Sequence, residues 1–114
     1  MEEHKELVAV VAKAWASLDA KMIEPFLSKD FEYESVWVFE TMKGKTNYMD
    51  YLTGKFQAIG QSGNVVAVKT LFQDRIDQDV VVLGQGDSEA ALQIWTEEGM
   101  ITKMWMRPID LLPG

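Results

Sequence analysis

The fold is decided by residues 31–40, whose sequence is FEYESVWVFE. Successive side chains of a β-strand point to opposite faces, so one strand here would carry Phe31, Tyr33, Ser35, Trp37 and Phe39 on the same face. The other face would carry glutamates at its ends and valines at its centre. Large aromatic rings in such a row need a core or a cavity to cover them. The stretch therefore predicts a strand that forms the wall of a pocket.

Helical patterns lie on both sides of this strand. Apolar residues recur at spacings of three, four and seven over residues 3–18, which predicts an amphipathic helix. A second pattern of this kind runs from a cap at Gly44 or Thr46 to about Ile59. A short helix is predicted over 22–27, directly before the aromatic strand.

The second half of the chain follows a period of two, which predicts strands over residues 65–73, 80–83, 90–96 and 100–106. The last two would form a hairpin around the pair Glu98-Gly99. Helices followed by antiparallel strands are typical of an α+β domain with its helices on one sheet face. No linker or repeat interrupts the sequence, so we expect one domain over residues 1–114.

Composition limits the classes of function. A net charge of −7 opposes binding to nucleic acid and to anionic membranes, and the absence of cysteine excludes disulfides and thiolate chemistry. The acidic start of the sequence and the lack of a long apolar run predict a soluble, cytoplasmic protein. Asp74, Asp77 and Asp79 cluster at a predicted turn but lack the spacing and glycine of a calcium loop. No metal and no cofactor are therefore predicted.

Six short segments, taken in order, carry a resemblance to a known superfamily. They are WASLD at 15–19, FLSKDF at 26–31, YES at 33–35, GK at 44–45, YMDYL at 48–52 and GMI at 99–101. In these segments the chain resembles the nuclear transport factor 2-like superfamily, which includes SnoaL-like polyketide cyclases and ketosteroid isomerases. The resemblance covers nearly the whole chain. It implies a cone-shaped fold, in which a curved, mostly antiparallel sheet wraps around about three helices from the N-terminal half.

The resemblance also implies where an isomerase of this superfamily would carry its catalytic groups. Such an enzyme needs a carboxylate base on the first strand and an oxyanion hole made of a tyrosine and a protonated acid. The matched positions hold Ser35 for the base, Ala14 or Trp15 for the tyrosine, and Ala91 for the acid. Because these side chains cannot supply the required groups, steroid-type isomerisation is not expected. The single histidine, His4, is expected at the exposed N-terminal end rather than in a catalytic site.

A count back from the Gly99 turn predicts which face each residue of the last two strands occupies. The predicted cavity face comprises Ala91, Gln93, Trp95, Met104 and Met106. The predicted outer face includes Leu92, Ile94, Ile101 and Trp105, an apolar patch that would form the interface of an isologous homodimer, as is common in the superfamily. The complete predicted ligand-binding set is Trp15, Tyr33, Ser35, Trp37, Tyr48, Tyr51, Phe56, Gln93, Trp95 and Met104.

The aromatic lining with polar tips predicts a protein that binds a small, mostly apolar or aromatic molecule in a conical cavity. Ser35 would either hydrogen-bond this ligand or satisfy a backbone group within a filled core. Two other functions remain open, since the fold does not decide function. One is a cyclase-, dehydratase- or isomerase-like enzyme that uses general acid–base chemistry. The other is a dimeric interaction or scaffold module.

Overall fold

The computed structural model of the chain describes residues 2–35, 38–63, 66–71, 80–85 and 88–108. In these residues, helices and strands alternate first and strands alone follow. The elements are helix α1 (Glu2–Ser17), two 3-10 turns (Ala20–Met22 and Glu24–Phe26), strands β1 (Leu27–Ser35) and β2 (Val38–Lys43), helix α2 (Lys45–Ser62), and strands β3 (Ala67–Leu71), β4 (Val80–Gln85), β5 (Ser88–Glu97) and β6 (Met100–Pro108).

The six strands form one sheet with the order β2-β1-β6-β5-β4-β3. β1 runs parallel to β6, and all the other neighbouring strands are antiparallel. β1 and β2 form one edge of the sheet, and the last strand, β6, returns to lie beside β1 in the parallel direction. The predicted α+β architecture with a mostly antiparallel sheet is confirmed.

Both α-helices bury one stripe of side chains against the same sheet face. The stripes follow helical spacing, as the apolar pattern of the sequence predicts: Leu7, Val8, Val11, Ala14 and Trp15 on α1, and Tyr48, Met49, Leu52, Phe56 and Ile59 on α2. Gly44 before α2 and Gly63 after it have positive φ angles of 93° and 76°, which glycine adopts without steric cost. No helix in the described ranges combines the length and the apolarity that crossing a membrane requires.

The prediction of one long strand over residues 31–40 is wrong. Residues 27–35 form β1, and the chain then returns antiparallel as β2, with Ser35 opposite Val38. Neither glycine nor proline nor asparagine lies near this reversal, so the sequence carries no turn signal there. On β1, Phe31, Tyr33 and Ser35 do share the buried face, as alternation predicts. Trp37 and the side chain of residue 39 lie outside the described residues, as does the aspartate cluster at 74–79.

The prediction of a short helix over 22–27 is also wrong. Two separate 3-10 turns, Ala20–Met22 and Glu24–Phe26, precede β1 instead, and the second begins with Glu24-Pro25. The Asp19 carboxylate accepts a hydrogen bond from the backbone N–H of Lys21 at 3.1 Å and so caps the first turn.

A β-bulge at Thr102 reverses the predicted faces of β5. Next to the turn, Thr96 lies opposite Ile101, but the following pair is Trp95 with Lys103, so Thr102 has no opposite residue. A shift of one residue moves every side chain of a strand to the other face. Thr102 stabilises the bulge by donating its hydroxyl proton to the Trp95 carbonyl oxygen at 3.3 Å.

The consequence is that part of the predicted outer face belongs to the core. Leu92, Ile94 and Ile101 are 0% exposed and pack in the main core under the helices. Placing them on the outer face was therefore wrong, whereas Trp105 does lie on that face. The faces of Met104 and Met106 were predicted as found, since both pack in the core.

The position of His4 was predicted wrongly as well. This residue lies in the first turn of α1, is 4% exposed, and its Nδ1 lies 2.7 Å from the Thr96 hydroxyl oxygen. The N-terminal turn of α1 packs here on the end of the β5–β6 hairpin, where the carboxylate of Glu3 also meets Gly99. Burial by this hairpin, which is remote in sequence, explains why the histidine is not exposed.

Candidate functional site

Three tyrosine rings form a cluster between the core and the surface. Tyr48 is 1% exposed, Tyr33 is 2% exposed, and Tyr51 is partly exposed. The ring centroids are 5.0 Å apart for Tyr33 and Tyr48, 5.5 Å for Tyr33 and Tyr51, and 6.3 Å for Tyr48 and Tyr51, so the three rings occupy the corners of a triangle. Lys55 places its ammonium nitrogen 5.8 Å from the centre of the Tyr51 ring. We refer to Tyr33, Tyr48 and Tyr51 as the tyrosine cluster.

Secondary structure explains why these rings meet. Tyr48 and Tyr51 are three residues apart on α2 and so lie on adjacent positions of its surface. Tyr33 comes from the C-terminal half of β1, where Met42 of β2 lies opposite on one side and Met104 of β6 on the other. Phe31, on the same face of β1, extends the cluster with a centroid 4.7 Å from that of Tyr48.

The two buried tyrosine hydroxyls donate to methionine sulfurs. Tyr33 Oη lies 3.8 Å from Met106 Sδ, and Tyr48 Oη lies 3.6 Å from Met104 Sδ. The two methionines are neighbours on one face of β6, which explains the regular pairing. A thioether sulfur is a weak acceptor, so both phenols use their donor capacity poorly.

The hydroxyls of Ser35 and Tyr51 also interact with Tyr33. Burial raises the pKa of Tyr33 well above the ordinary value of a tyrosine, and the charge and hydrogen bond of Tyr51 raise it further, while a hydrogen bond with Ser35 lowers it. Burial likewise raises the pKa of Tyr48, with smaller contributions from Tyr33 and Tyr51. Both buried phenols are therefore neutral near neutral pH and can serve only as hydrogen-bond donors or acceptors.

A further donor lies at the other end of α2. The rings of Trp15 and Phe56 meet edge to face with centroids 4.8 Å apart. Trp15 is 3% exposed, and its Nε1 has no hydrogen-bond partner within the described residues. The interior thus holds two phenols that donate to thioether sulfurs and one indole N–H without a partner within the described residues.

Carboxylates are missing from this interior, as far as the structure describes the chain. The buried polar residues of the whole described chain are His4, Ser35 and Gln93, and no aspartate or glutamate is among them. The same residues include no group of His, Cys, Asp and Glu side chains that could hold a metal ion. The described interior thus offers hydrogen-bond donors without a carboxylate beside them.

Two of the predicted ligand-binding residues lie on the opposite face of the sheet. Gln93 accepts a hydrogen bond from Arg107 Nη2 at 2.6 Å, and the Arg107 guanidinium stacks on Trp105 at 4.5 Å from the ring centroid. Trp95 is covered by Lys103, whose ammonium lies 5.3 Å from the ring centroid. Placing Gln93 and Trp95 on the cavity face was wrong, because the bulge reverses β5.

The other predicted ligand-binding residues divide as follows. Buried on the helix side of the sheet are Trp15, Tyr33, Ser35, Tyr48, Phe56 and Met104, with Tyr51 partly exposed at their edge. Trp37 lies outside the described residues. The predicted set did not include Met106, although its spacing of two from Met104 on an inward face could have indicated it.

The described residues line three surface clefts away from the tyrosine cluster. Clefts of about 560, 450 and 420 Å³ open between the first 3-10 turn and α2, at the start of α2, and between α1 and β3, respectively. Phe56 is the one predicted ligand-binding residue that lines any of these three clefts. Tyr33, Tyr48 and Tyr51 line none of the three.

Comparison with known proteins identifies the fold of this chain. No family model matches the sequence, and no curated protein matches it. Solved structures do match: an NTF2-like protein of unknown function from Mesorhizobium loti superposes with a TM-score of 0.75 at 9% identity, covering 94% of this chain and 91% of that one. This chain has the nuclear transport factor 2-like fold.

Other structures with the nuclear transport factor 2-like fold extend the comparison. A SnoaL-like protein of unknown function from Burkholderia thailandensis superposes with a TM-score of 0.67 at 13% identity, covering 93% of this chain and 94% of that one. An epoxide hydrolase of M. tuberculosis, described as LEH-like, superposes with a TM-score of 0.67 at 17% identity, covering 97% of this chain and 81% of that one. Identities this low show the shared fold and do not transfer an activity.

Proposed function

We propose that this protein binds a small, mostly apolar aromatic molecule between α2 and the β1–β6 part of the sheet. The observation that carries the proposal is the tyrosine cluster, in which the partly exposed Tyr51 ring lies beside two buried rings whose hydroxyls donate to thioether sulfurs. Ligand sites combine an apolar lining with a few polar groups that fix orientation, as this wall does.

Space for the ligand comes from methionine side chains. Met104 and Met106 lie directly behind the tyrosine hydroxyls, and methionine is unbranched and readily changes rotamer. Ser35, beside Met106 in the β1–β6 register, is the smallest side chain of this wall. A flat ring that enters past Tyr51 would stack on Tyr33 and displace these thioethers.

The test is a fluorescence titration with naphthalene, using wild type and a variant with a filled interior. Ser35→Leu adds bulk beside Tyr33 and is expected to weaken binding by at least about tenfold, the effect of losing roughly 1.4 kcal/mol. Thr41→Leu is the matched control, since Thr41 donates to Glu34 on the outer sheet face. If wild type does not bind naphthalene, or if both variants bind like wild type, the proposed site is wrong.

The enzyme alternative has less support. Its basis is the likeness to the epoxide hydrolase structure, and at 17% identity this likeness extends to the fold alone. Histidine is the commonest general acid or base, and the single histidine of the chain, His4, is buried against Thr96 on β5 rather than beside the tyrosine cluster.

We also propose that two copies associate through the outer sheet face. Trp95 and Trp105 are partly exposed there, each stacked under a cation, and Lys103 lies 3.9 Å from the Glu34 carboxylate. A face with aromatic rings and charges of both signs can complement itself across a two-fold axis. Light scattering at micromolar protein should give the mass of a dimer, and a monomer mass would exclude this interface.

A further inference from the structure

The Tyr33 hydroxyl is the polar group best placed to meet a ligand. It donates to Met106 Sδ at 3.8 Å, a long contact to a weak acceptor. Met106 is 5% exposed and Met104 is fully buried, so the sulfur facing Tyr33 is also the less enclosed of the two. The Tyr33 ring is also the closer of the two buried rings to the partly exposed Tyr51, at 5.5 Å against 6.3 Å for Tyr48.

Ser35 supports Tyr33 as a donor. Burial and Tyr51 raise the pKa of Tyr33, whereas the hydrogen bond with Ser35 lowers that pKa. A phenol donor that faces a thioether gains free energy when a better acceptor replaces the sulfur, because nitrogen and carbonyl oxygen lone pairs accept more strongly.

The surroundings also limit the charge of the ligand. No carboxylate is buried among the described residues, so a cationic ligand would have no counter-charge. A carboxylate ligand would place a full charge among neutral phenols and aliphatic side chains, at a high desolvation cost. A neutral molecule with a lone pair on its edge meets neither penalty.

We propose that the ligand is a neutral aromatic hydrogen-bond acceptor. Its ring nitrogen or carbonyl oxygen accepts a hydrogen bond from the Tyr33 hydroxyl in place of the Met106 sulfur. This assignment rests on the proposed function and adds the chemistry of recognition. Tyr33 is then the residue that selects the ligand. The Tyr48 hydroxyl remains on Met104 and has a structural role.

Quinoline and naphthalene test this assignment, since they have nearly the same shape and differ by a ring nitrogen in place of a C–H group. The quantity to measure is the ratio of their dissociation constants. Tyr33→Phe is expected to reduce the preference for quinoline by about fivefold, the value of one net hydrogen bond. Tyr48→Phe removes the same group from the adjacent ring and should leave the ratio unchanged.

Two further measurements keep the test independent of stability. Met106→Leu removes the competing sulfur acceptor and should maintain or increase the preference for quinoline. The ¹⁵N resonance of labelled quinoline should shift on binding to wild type and to Tyr48→Phe but not to Tyr33→Phe.

The outcomes separate the two proposals. A ratio that is the same in wild type and Tyr33→Phe, or that falls equally in both tyrosine variants, overturns the role of Tyr33 and leaves interior binding intact. Failure of both probes to bind wild type overturns this assignment together with the proposed function.

Discussion

Leu92→Asp is expected to unfold the protein, or to lower its free energy of unfolding by at least about 4 kcal/mol. Leu92 is 0% exposed in the main core, opposite Met106 in the β5–β6 register. An aspartate there would lose the apolar contacts of leucine and bury a carboxyl group without a partner. Since small domains are stable by about 5 to 15 kcal/mol, this loss approaches the total stability. Urea unfolding followed by circular dichroism measures it.

Trp105→Asp is the matched control on the opposite face of the sheet. Trp105 is partly exposed and stacks under Arg107 at 4.5 Å, so its loss should cost on the order of 1 kcal/mol and leave the fold intact. If the proposed dimer forms through this face, the variant should also be a folded monomer by light scattering. Equal destabilisation by the two substitutions, or greater damage from Trp105→Asp, would show that the faces of β5 and β6 are assigned wrongly.

Alkaline pH is expected to destabilise the fold through the two buried tyrosines. The pKa values of Tyr33 and Tyr48 are raised in the folded state, chiefly by burial. Above pH about 10 the unfolded chain therefore binds fewer protons than the folded chain, and stability falls as pH rises. Each such tyrosine contributes up to about 1.4 kcal/mol per pH unit, and below its unfolded pKa its contribution is fully retained.

Urea unfolding at a series of pH values from about 9 to about 11 measures this slope. Tyr48→Phe removes one of the two titrating groups and keeps the ring, so its slope above pH about 10 should be smaller by as much as about 1.4 kcal/mol per pH unit. A variant slope identical to that of wild type would mean that Tyr48 ionises equally readily in the folded and the unfolded chain.

Much of the fold could be predicted because its helices and most of its strands are determined by local patterns. The stripe on α2, from Tyr48 to Ile59, follows helical spacing closely enough that the sequence alone indicates the buried face. The break at Ser35 could not be predicted in this way. There the chain reverses without a turn residue, and long-range pairing of β1 with β6 outweighs local propensity.

The prediction of which sheet face each β5 residue occupies was wrong because it was made by counting back through the β5–β6 turn. One extra residue, Thr102, changes the register between the turn and the rest of the ladder, and no residue type marks such a bulge in advance. The apolar pattern of β5 alone predicts the correct buried face. Leu92 and Ile94 are more apolar than Ala91 and Gln93, which indicates the inward face without reference to the turn.

The candidate site was predictable in its composition but not in its contacts. Alternation on β1 puts Tyr33 and Ser35 on one face, and helical spacing puts Tyr48 and Tyr51 on adjacent positions. The hydroxyl–sulfur contacts with β6 require the parallel β1–β6 register, which joins residues more than 70 positions apart in sequence. No local pattern contains that information.

The most direct test of interior binding is an NMR titration of the methionine ε-methyl groups with naphthalene. The signals of Met104 and Met106, assigned by leucine substitution, should shift with saturation as the ring displaces them. Met22 is an internal reference. Its sulfur also accepts a hydrogen bond from a hydroxyl, that of Ser17 at 3.4 Å, but it lies away from the tyrosine cluster. Shifts at Met104 and Met106 with a constant Met22 signal are predicted. Constant signals at both interior methionines up to the solubility limit of naphthalene would contradict interior binding.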